Sequence, residues 1–217
     1  MNNLNINQVV ESGNFDLFKL MIDLDINLID STDDIYGRSP LTICCKYKKS
    51  ESHVKIAEYL LDSGCDVNIP ANSKWNNWTA LITACYYGNQ RLVELILNSK
   101  TNLDIEDNQV QTACQIGIEQ SNSDCVNLIL NELENKKKYE LSKKIEKNNL
   151  SLKQFMNSTT TGSHTLLFRA CRNSNSDVVK ILLDSNSIAK PHYYTKYSPL
   201  YIACHMGNEE IAKLLLE

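Results

Sequence analysis

The sequence predicts an all-α fold, a solenoid of stacked helix-turn-helix hairpins with short finger turns, interrupted by a helical insertion. Three observations carry that expectation. The first is the stretch WTALITACYYGNQRLVELIL, Trp78 to Leu97. Thr79 can cap a first helix through its hydroxyl. Leu81, Ala84 and Cys85 then fall at i, i+3 and i+4 on one stripe, and Gly88 supplies a left-handed stop. A second run, Leu92, Val93, Leu95, Ile96 and Leu97, is apolar over most of its circumference. The second observation is repetition: related segments start at Ser39, Thr79, Thr112, Thr165 and Ser198, at intervals of 40, 33, 53 and 33 residues. The third is energetic. A helical hairpin this short, with this much hydrocarbon on its surface, is not stable alone in water, so each copy must find its missing neighbour in the next.

In chain order, residues 1–30 read as an N-terminal cap. Val9, Val10, Phe15, Leu17, Phe18, Leu20 and Met21 supply its apolar face, and Gly13-Asn14 its turn. Asp33, Asp34 and Gly37 form the first projecting turn, after which Pro40 opens a helix where a missing N–H costs nothing. Between Cys45 and Ile56 lie four more residues than in the other copies, predicting a longer turn between helices. A long linker, Ile69 to Lys74, leads into Trp75-Asn76-Asn77-Trp78. The copy at Thr112 is degenerate, with Gln109-Val110-Gln111 in place of the Gly entry and Ser121-Asn122 in place of Gly-Asn. Residues 134–153 hold seven Lys against three Glu, with Glu134–Lys138 and Glu140–Lys144 in the favourable i, i+4 order. The spacing predicts an outer helix running on, or a second helix following, to about Lys147. A short amphipathic helix over Leu150 to Met156 and a flexible loop over Ser158 to Ser163 come next. These readings divide the chain into residues 1–133, a charged insertion at 134–163, and residues 164–217. The last copy stops at Leu214-Leu215-Leu216-Glu217 without a polar closing repeat, which implies that the full protein continues.

The Ser/Thr-Pro/Ala-Leu starts, the small pair, the Gly-Asn and the apolar triple resemble the ankyrin repeat. So do Gly64-Cys65-Asp66-Val67-Asn68 and Gly37-Arg38-Ser39-Pro40-Leu41, and the resemblance covers nearly all of the chain outside residues 134–163. It implies about six repeats, whose fingers and first helices line a concave groove that recognises another protein. Groove-facing slots then hold Tyr36 and Arg38 on one finger with Lys46 and Tyr47 on its helix. Trp75, Trp78, Tyr86 and Tyr87 fill them in the next repeat, and Arg172, Tyr194, Tyr197 and His205 near the end. Aromatic and Arg enrichment marks interface centres. The competing reading packs Trp75 and Trp78 on their own linker. One departure stands out. The family's usual His after Thr-Pro-Leu is replaced by Thr42, Ile82, Gln115, Phe168 and Tyr201, leaving the fingers without the hydrogen bonds by which that His ties neighbouring loops.

Composition narrows the function classes. Net charge is −4 and pI about 5.6, which invites neither nucleic acid nor an anionic membrane. Interleaved Glu argues against RNA as the target of the Lys-rich run. No apolar run approaches the ~20 residues of a membrane span. Eight cysteines raise metal and disulfide readings, but Cys45, Cys85, Cys171 and Cys204 share one slot of four copies, Cys44 lies beside it, and no C-x-x-C occurs. They read as small buried hydrophobes in a reducing, cytoplasmic compartment. No Gly-rich phosphate loop or nucleophile elbow appears. The expectation is therefore a monomeric, non-enzymatic protein-binding scaffold with no cofactor and no metal. Two alternatives stay open: a targeting arm of a larger enzyme or membrane protein, and a parasite or viral effector acting in a host cell. The Asn, Ile and Lys bias suggests an AT-rich coding genome, such as a protist's or a large virus's.

Overall fold

A computed structural model of the chain describes residues 5–143, 165–184 and 197–217. The predicted helix over Leu150 to Met156, the loop over Ser158 to Ser163, and Tyr194 lie outside the described residues. Twelve α-helices occur among them and no strand; an antiparallel bridge pairs Glu106 with Thr112. The helices fall into two compact units, Met1–Ala113 and Cys114–Glu217.

The first unit contains three hairpins: α1 (Ile6–Ser12) with α2 (Phe15–Leu24), α3 (Pro40–Cys45) with α4 (Glu51–Asp62), and α5 (Ala80–Tyr87) with α6 (Gln90–Leu97). First helices pack on first helices, α1 on α3 on α5, and second helices on second helices, α2 on α4 on α6. Between the two rows lie Val10, Phe18, Leu41, Ile43, Ile56, Leu60, Leu81, Ile82, Leu92 and Ile96, all fully buried or nearly so. In the cap the i, i+4 pair Phe18 and Ile22 goes inward, whereas Leu20, expected on the apolar face, is 54% exposed. The four-residue insertion before Ile56 is partly helical. Glu51, Ser52 and His53 give α4 an added first turn that buries His53.

Starts and stops follow the predicted chemistry. Ser39 and Thr79 accept the N–H of the residue three further on, each at 3.3 Å. Gly88 is left-handed at φ 66°. The following Asn is the N-cap of the second helix: Asn14 and Asn89 accept from Leu17 N–H and Leu92 N–H. Two backbone slots demand positive φ in every described copy that has them. The hairpin-turn slot holds Gly13, Gly88, Ser121, Ser174 and Gly207; the finger slot holds Gly37, Asn77 and Val110. The degenerate copy thus keeps the backbone of the others although its glycines are gone.

The fingers are tied despite the missing His, and asparagine does the tying. Asn72 donates from its backbone N–H to Tyr36 O at 2.8 Å and from Nδ2 to Ile35 O at 3.1 Å. Asn108 repeats this one finger on, to Asn76 O and Ser73 O. Asn68 Oδ1 accepts from Asn102 N–H at 2.8 Å, and Asp30 Oδ1 from Asp66 N–H at 2.9 Å. Gly37 permits the approach of Asn72, since a Cβ there would lie 2.9 Å from the Asn72 nitrogen.

In the second unit α7 (Ala113–Glu119) precedes α8 (Ser123–Lys143), a continuous helix of 21 residues, so the outer helix does run on into the Lys-rich segment. Then come α9 (Leu166–Arg172) with α10 (Ser176–Asp184), and α11 (Pro199–His205) with α12 (Glu209–Leu214). Packing repeats the first unit's rule: α9 on α11, α10 on α12, α8 on α10. Asn175 and Asn208 cap α10 and α12, Asn173 Nδ2 donates to Glu119 O, and Arg169 pairs with Glu119. The cysteine expectation needs one correction. All eight cysteines are free, and Cys44, Cys45, Cys85, Cys114, Cys125 and Cys171 are buried, but Cys204 is exposed. Cys204 lies in α11, the first helix of the last described hairpin.

Candidate protein-binding face

Rings from two successive repeats of the first unit meet on one surface. Tyr36 on the first finger lies 5.3 Å from Trp75, which ends the short 3-10 turn Ser73–Trp75 of the next finger. Trp75 meets Trp78 edge to face at 6.2 Å, and Trp78 meets Tyr86 at 4.6 Å. Tyr86 meets Tyr87 at 5.1 Å, closing a run of five rings in the distance range where aromatic pairs attract. The local sequence explains the arrangement. Asn72 caps the 3-10 turn through Lys74 N–H, and left-handed Asn76 and Asn77 then reverse the chain so that both indoles fall on the same side. Trp78 is fixed at its far end by donating from Nε1 to Asp107 at 3.2 Å. Tyr86 is 37% exposed, and the other four rings are half-buried.

Arg38 holds the first finger from beneath. It is only 9% exposed, and its guanidinium carbon stands 4.9 Å from the Tyr36 ring centre and 5.0 Å from that of Trp75. Its Nε donates to Asp33 at 2.8 Å, and its Nη2 pairs with Glu11 of α1 at 3.1 Å. Burial would raise the Asp33 carboxyl, but hydrogen bonds from Tyr36 N–H and Arg38 outweigh it and the pKa falls below the usual carboxylate value. Arg38 therefore joins cap, finger and aromatic run, so its partners lie within the protein.

The remaining expected residues fall elsewhere. Lys46 sits over the Tyr47 ring at 5.6 Å. Tyr47 donates its hydroxyl to Glu11 and stacks on His53 at 3.9 Å. Burial and the Glu11 carboxylate push the Tyr47 pKa up to about 12. In the second unit Tyr197 stacks on Tyr201 at 4.2 Å, and Tyr201 is parallel to His205 at 6.1 Å. Arg172 is exposed at the end of α9. Glu11 and Tyr201 were not among the expected site residues. The spacing 197, 201, 205 carries the helical signal for Tyr201, whereas Glu11 is joined to Arg38 by folding alone.

Among the described residues no group of three or more His, Cys, Asp or Glu could hold a metal ion. No helix among them is long and apolar enough to cross a membrane.

A family model described as ankyrin repeats (3 copies) matches residues 6–71, 69–144 and 141–217. No curated protein sequence matches the chain. Among solved structures the fold is similar to the crystal structure of EF0377, an ankyrin repeat protein. That match has a TM-score of 0.76 at 17% identity over 98% of this chain and 96% of that one. The human ASB11 ankyrin repeat domain aligns with a TM-score of 0.71 at 21% identity, over 99% of this chain and 83% of that one.

Proposed function

The chain belongs to the ankyrin-repeat family, whose members are in general protein–protein interaction modules, and from that premise we propose that it binds a protein partner through the groove and finger face of its first unit. The observation that carries this reading is the five-ring run from Tyr36 to Tyr87. Aromatic side chains with two rotatable bonds offer large contact area at small entropy cost, and rings already packed on one another lose less still on binding. Arg38, Asn72 and Asp107 support that preorganisation by fixing the rings from behind. Tyr86 and Tyr87 are the contact residues at the helix end, Tyr36, Trp75 and Trp78 those of the fingers, and Lys46 and Tyr47 their flank. Arg172, Tyr194, Tyr197 and His205 extend the proposal to the second unit, where the Tyr197–Tyr201 stack supports it. The role is a non-catalytic scaffold or adaptor acting in the cytoplasm.

Affinity capture from the native cell tests the proposal, with the wild-type chain beside Trp78→Ala, Tyr86→Ala and the double variant. Captured protein should fall at least about tenfold with the double variant, while thermal melts show the fold retained. Capture that is the same for wild type and all three variants would reduce the aromatic run to self-packing.

A further inference from the structure

We propose that the ring face of the first unit takes a proline-rich segment of the partner, in the extended polyproline II conformation. The proposal rests on the protein-binding reading above and names the chemistry of the segment that the rings hold. The fingers around the rings have their hydrogen-bond acceptors already engaged. Asn72 donates from N–H and Nδ2 to the Tyr36 and Ile35 carbonyls, and Asn108 does the same to those of Asn76 and Ser73. The Asn72 carbonyl accepts from Trp75 and Asn77, that of Trp75 from Trp78, and that of Trp78 from Ala71. Among side chains, Asn72 Oδ1 accepts from Lys74 N–H, and Asp107 from Trp78 Nε1 and the Gln109 and Gln111 N–H groups. An ordinary backbone laid on this face brings N–H groups to acceptors that are taken, and a buried donor left unpaired is costly. Proline has no N–H. Its carbonyls stay in water, because a polyproline II helix keeps its backbone solvated.

Charge and shape narrow the guest in the same direction. Arg38 lies against the Tyr36 and Trp75 rings and is itself held by Asp33 and Glu11, while Asp107 is held by Trp78. These groups offer no uncommitted carboxylate to a lysine or arginine and no uncommitted guanidinium to an acid. A neutral guest fits best. Successive rings from Tyr36 to Tyr87 are inclined at 56°, 78°, 43° and 78° to one another, which makes a corrugated strip of short furrows. An α-helix with its side chains is ~10–12 Å across and rides over such furrows, whereas a flat pyrrolidine ring sits in one. The C–H bonds beside proline's amide nitrogen are electron-poor and meet the electron-rich faces of indole and phenol. Aromatic-lined grooves hold proline-rich segments on this principle, and a segment that is already extended loses little entropy on docking.

The test uses the full chain and a blocked nonapeptide of three Pro-Pro-Ala repeats, followed by NMR at the indole N–H signals of Trp75 and Trp78, the only two tryptophans. The controls are a blocked nonapeptide of three Ala-Ser-Ala repeats, which keeps every N–H, and a helix-forming peptide of three Glu-Ala-Ala-Ala-Lys repeats. Saturable shifts are expected with the proline peptide, at a Kd below about 1 mM and at least about tenfold tighter than either control. Trp75→Ala and Tyr86→Ala should each weaken that binding at least about tenfold. Leu20→Ala, at a side chain 54% exposed on α2 and away from the rings, should leave it unchanged. Thermal melts accompany each variant. Should Trp75→Ala unfold the finger, Tyr86→Ala, at the most exposed of the five rings, carries the test. Absent shifts, equal affinity for the Ala-Ser-Ala peptide, tighter binding of the helical peptide, or binding that ignores Tyr86→Ala would each overturn the proposal. If the proline peptide fails while cellular capture still depends on Trp78 and Tyr86, the proline proposal falls and the aromatic face stands. If the proline peptide binds while capture ignores those rings, the reading of the rings as the cellular partner's site falls instead.

Discussion

Val110 carries a cost its neighbours in the repeat do not. Its φ of 59° occupies the finger slot where Gly37 has 65°, and a β-branched side chain is strained there. Its side chain is 61% exposed and so gains little packing in return. Val110→Gly should raise stability by about 1 kcal/mol, read from the urea midpoint. The cost of left-handed Val exceeds the extra unfolded-state entropy of Gly. Asp33 supplies a pH dependence. Its folded pKa lies below the ordinary 3.8, so the unfolded chain binds the proton more readily. The Asp33 contribution is therefore fully present above that value and is lost as pH falls from about 4 through the lower folded pKa. Asp33→Asn should flatten that part of the acid-denaturation curve, and an unchanged curve would remove Asp33 from the account. Most of this was legible only in part. The Gln109-Val110-Gln111 departure is visible in the sequence, but that the backbone keeps its left-handed turn there is a tertiary fact, imposed by ties such as the bond from Asn108 to Asn76.

At the scale of the element, the hairpin was readable because it rests on local chemistry: hydroxyl caps, a left-handed stop and a 3.6-residue stripe. What the stripe did not settle was the edge of the buried face. The predicted apolar face includes Leu20 and not Ile22, yet packing of α2 against α4 buries Ile22 and leaves Leu20 exposed. The many asparagines were legible as composition and not as structure. Four of them cap second helices, and others lace each finger to the one before, bonds between residues roughly one repeat apart. Stability remains with the apolar rows. Leu81, 2% exposed between neighbouring hairpins, should cost about 2–5 kcal/mol as Leu81→Ala. Leu20→Ala should cost under about 0.5 kcal/mol. Equal losses in thermal or urea unfolding would mean that α5 is not buried as described.

For the molecule as a whole, thiol chemistry reports the stacking. Burial pushes the pKa values of Cys114 and Cys171 up to about 12, and it raises those of Cys44 and Cys45 as well. Cys65 is half-buried with a pKa also near 12, which leaves Cys204 as the exposed thiol. A thiol reagent at neutral pH should label Cys204 promptly and the six buried cysteines only in denaturant. Rapid labelling of Cys45 or Cys85 would contradict the packing. Function was less legible than fold, because spacing placed the aromatic residues on fingers and helix ends while only tertiary structure joined five of them and buried Arg38 beneath. Trp75 and Trp78 are the only two tryptophans in the chain, so intrinsic fluorescence reads the proposed face directly. Acrylamide quenching, measured before and after adding the captured partner, is the most direct test of the central claim. The account predicts that the partner shields both indoles and lowers the quenching constant severalfold. An unchanged quenching constant at saturating partner would show that binding, if it occurs, happens elsewhere.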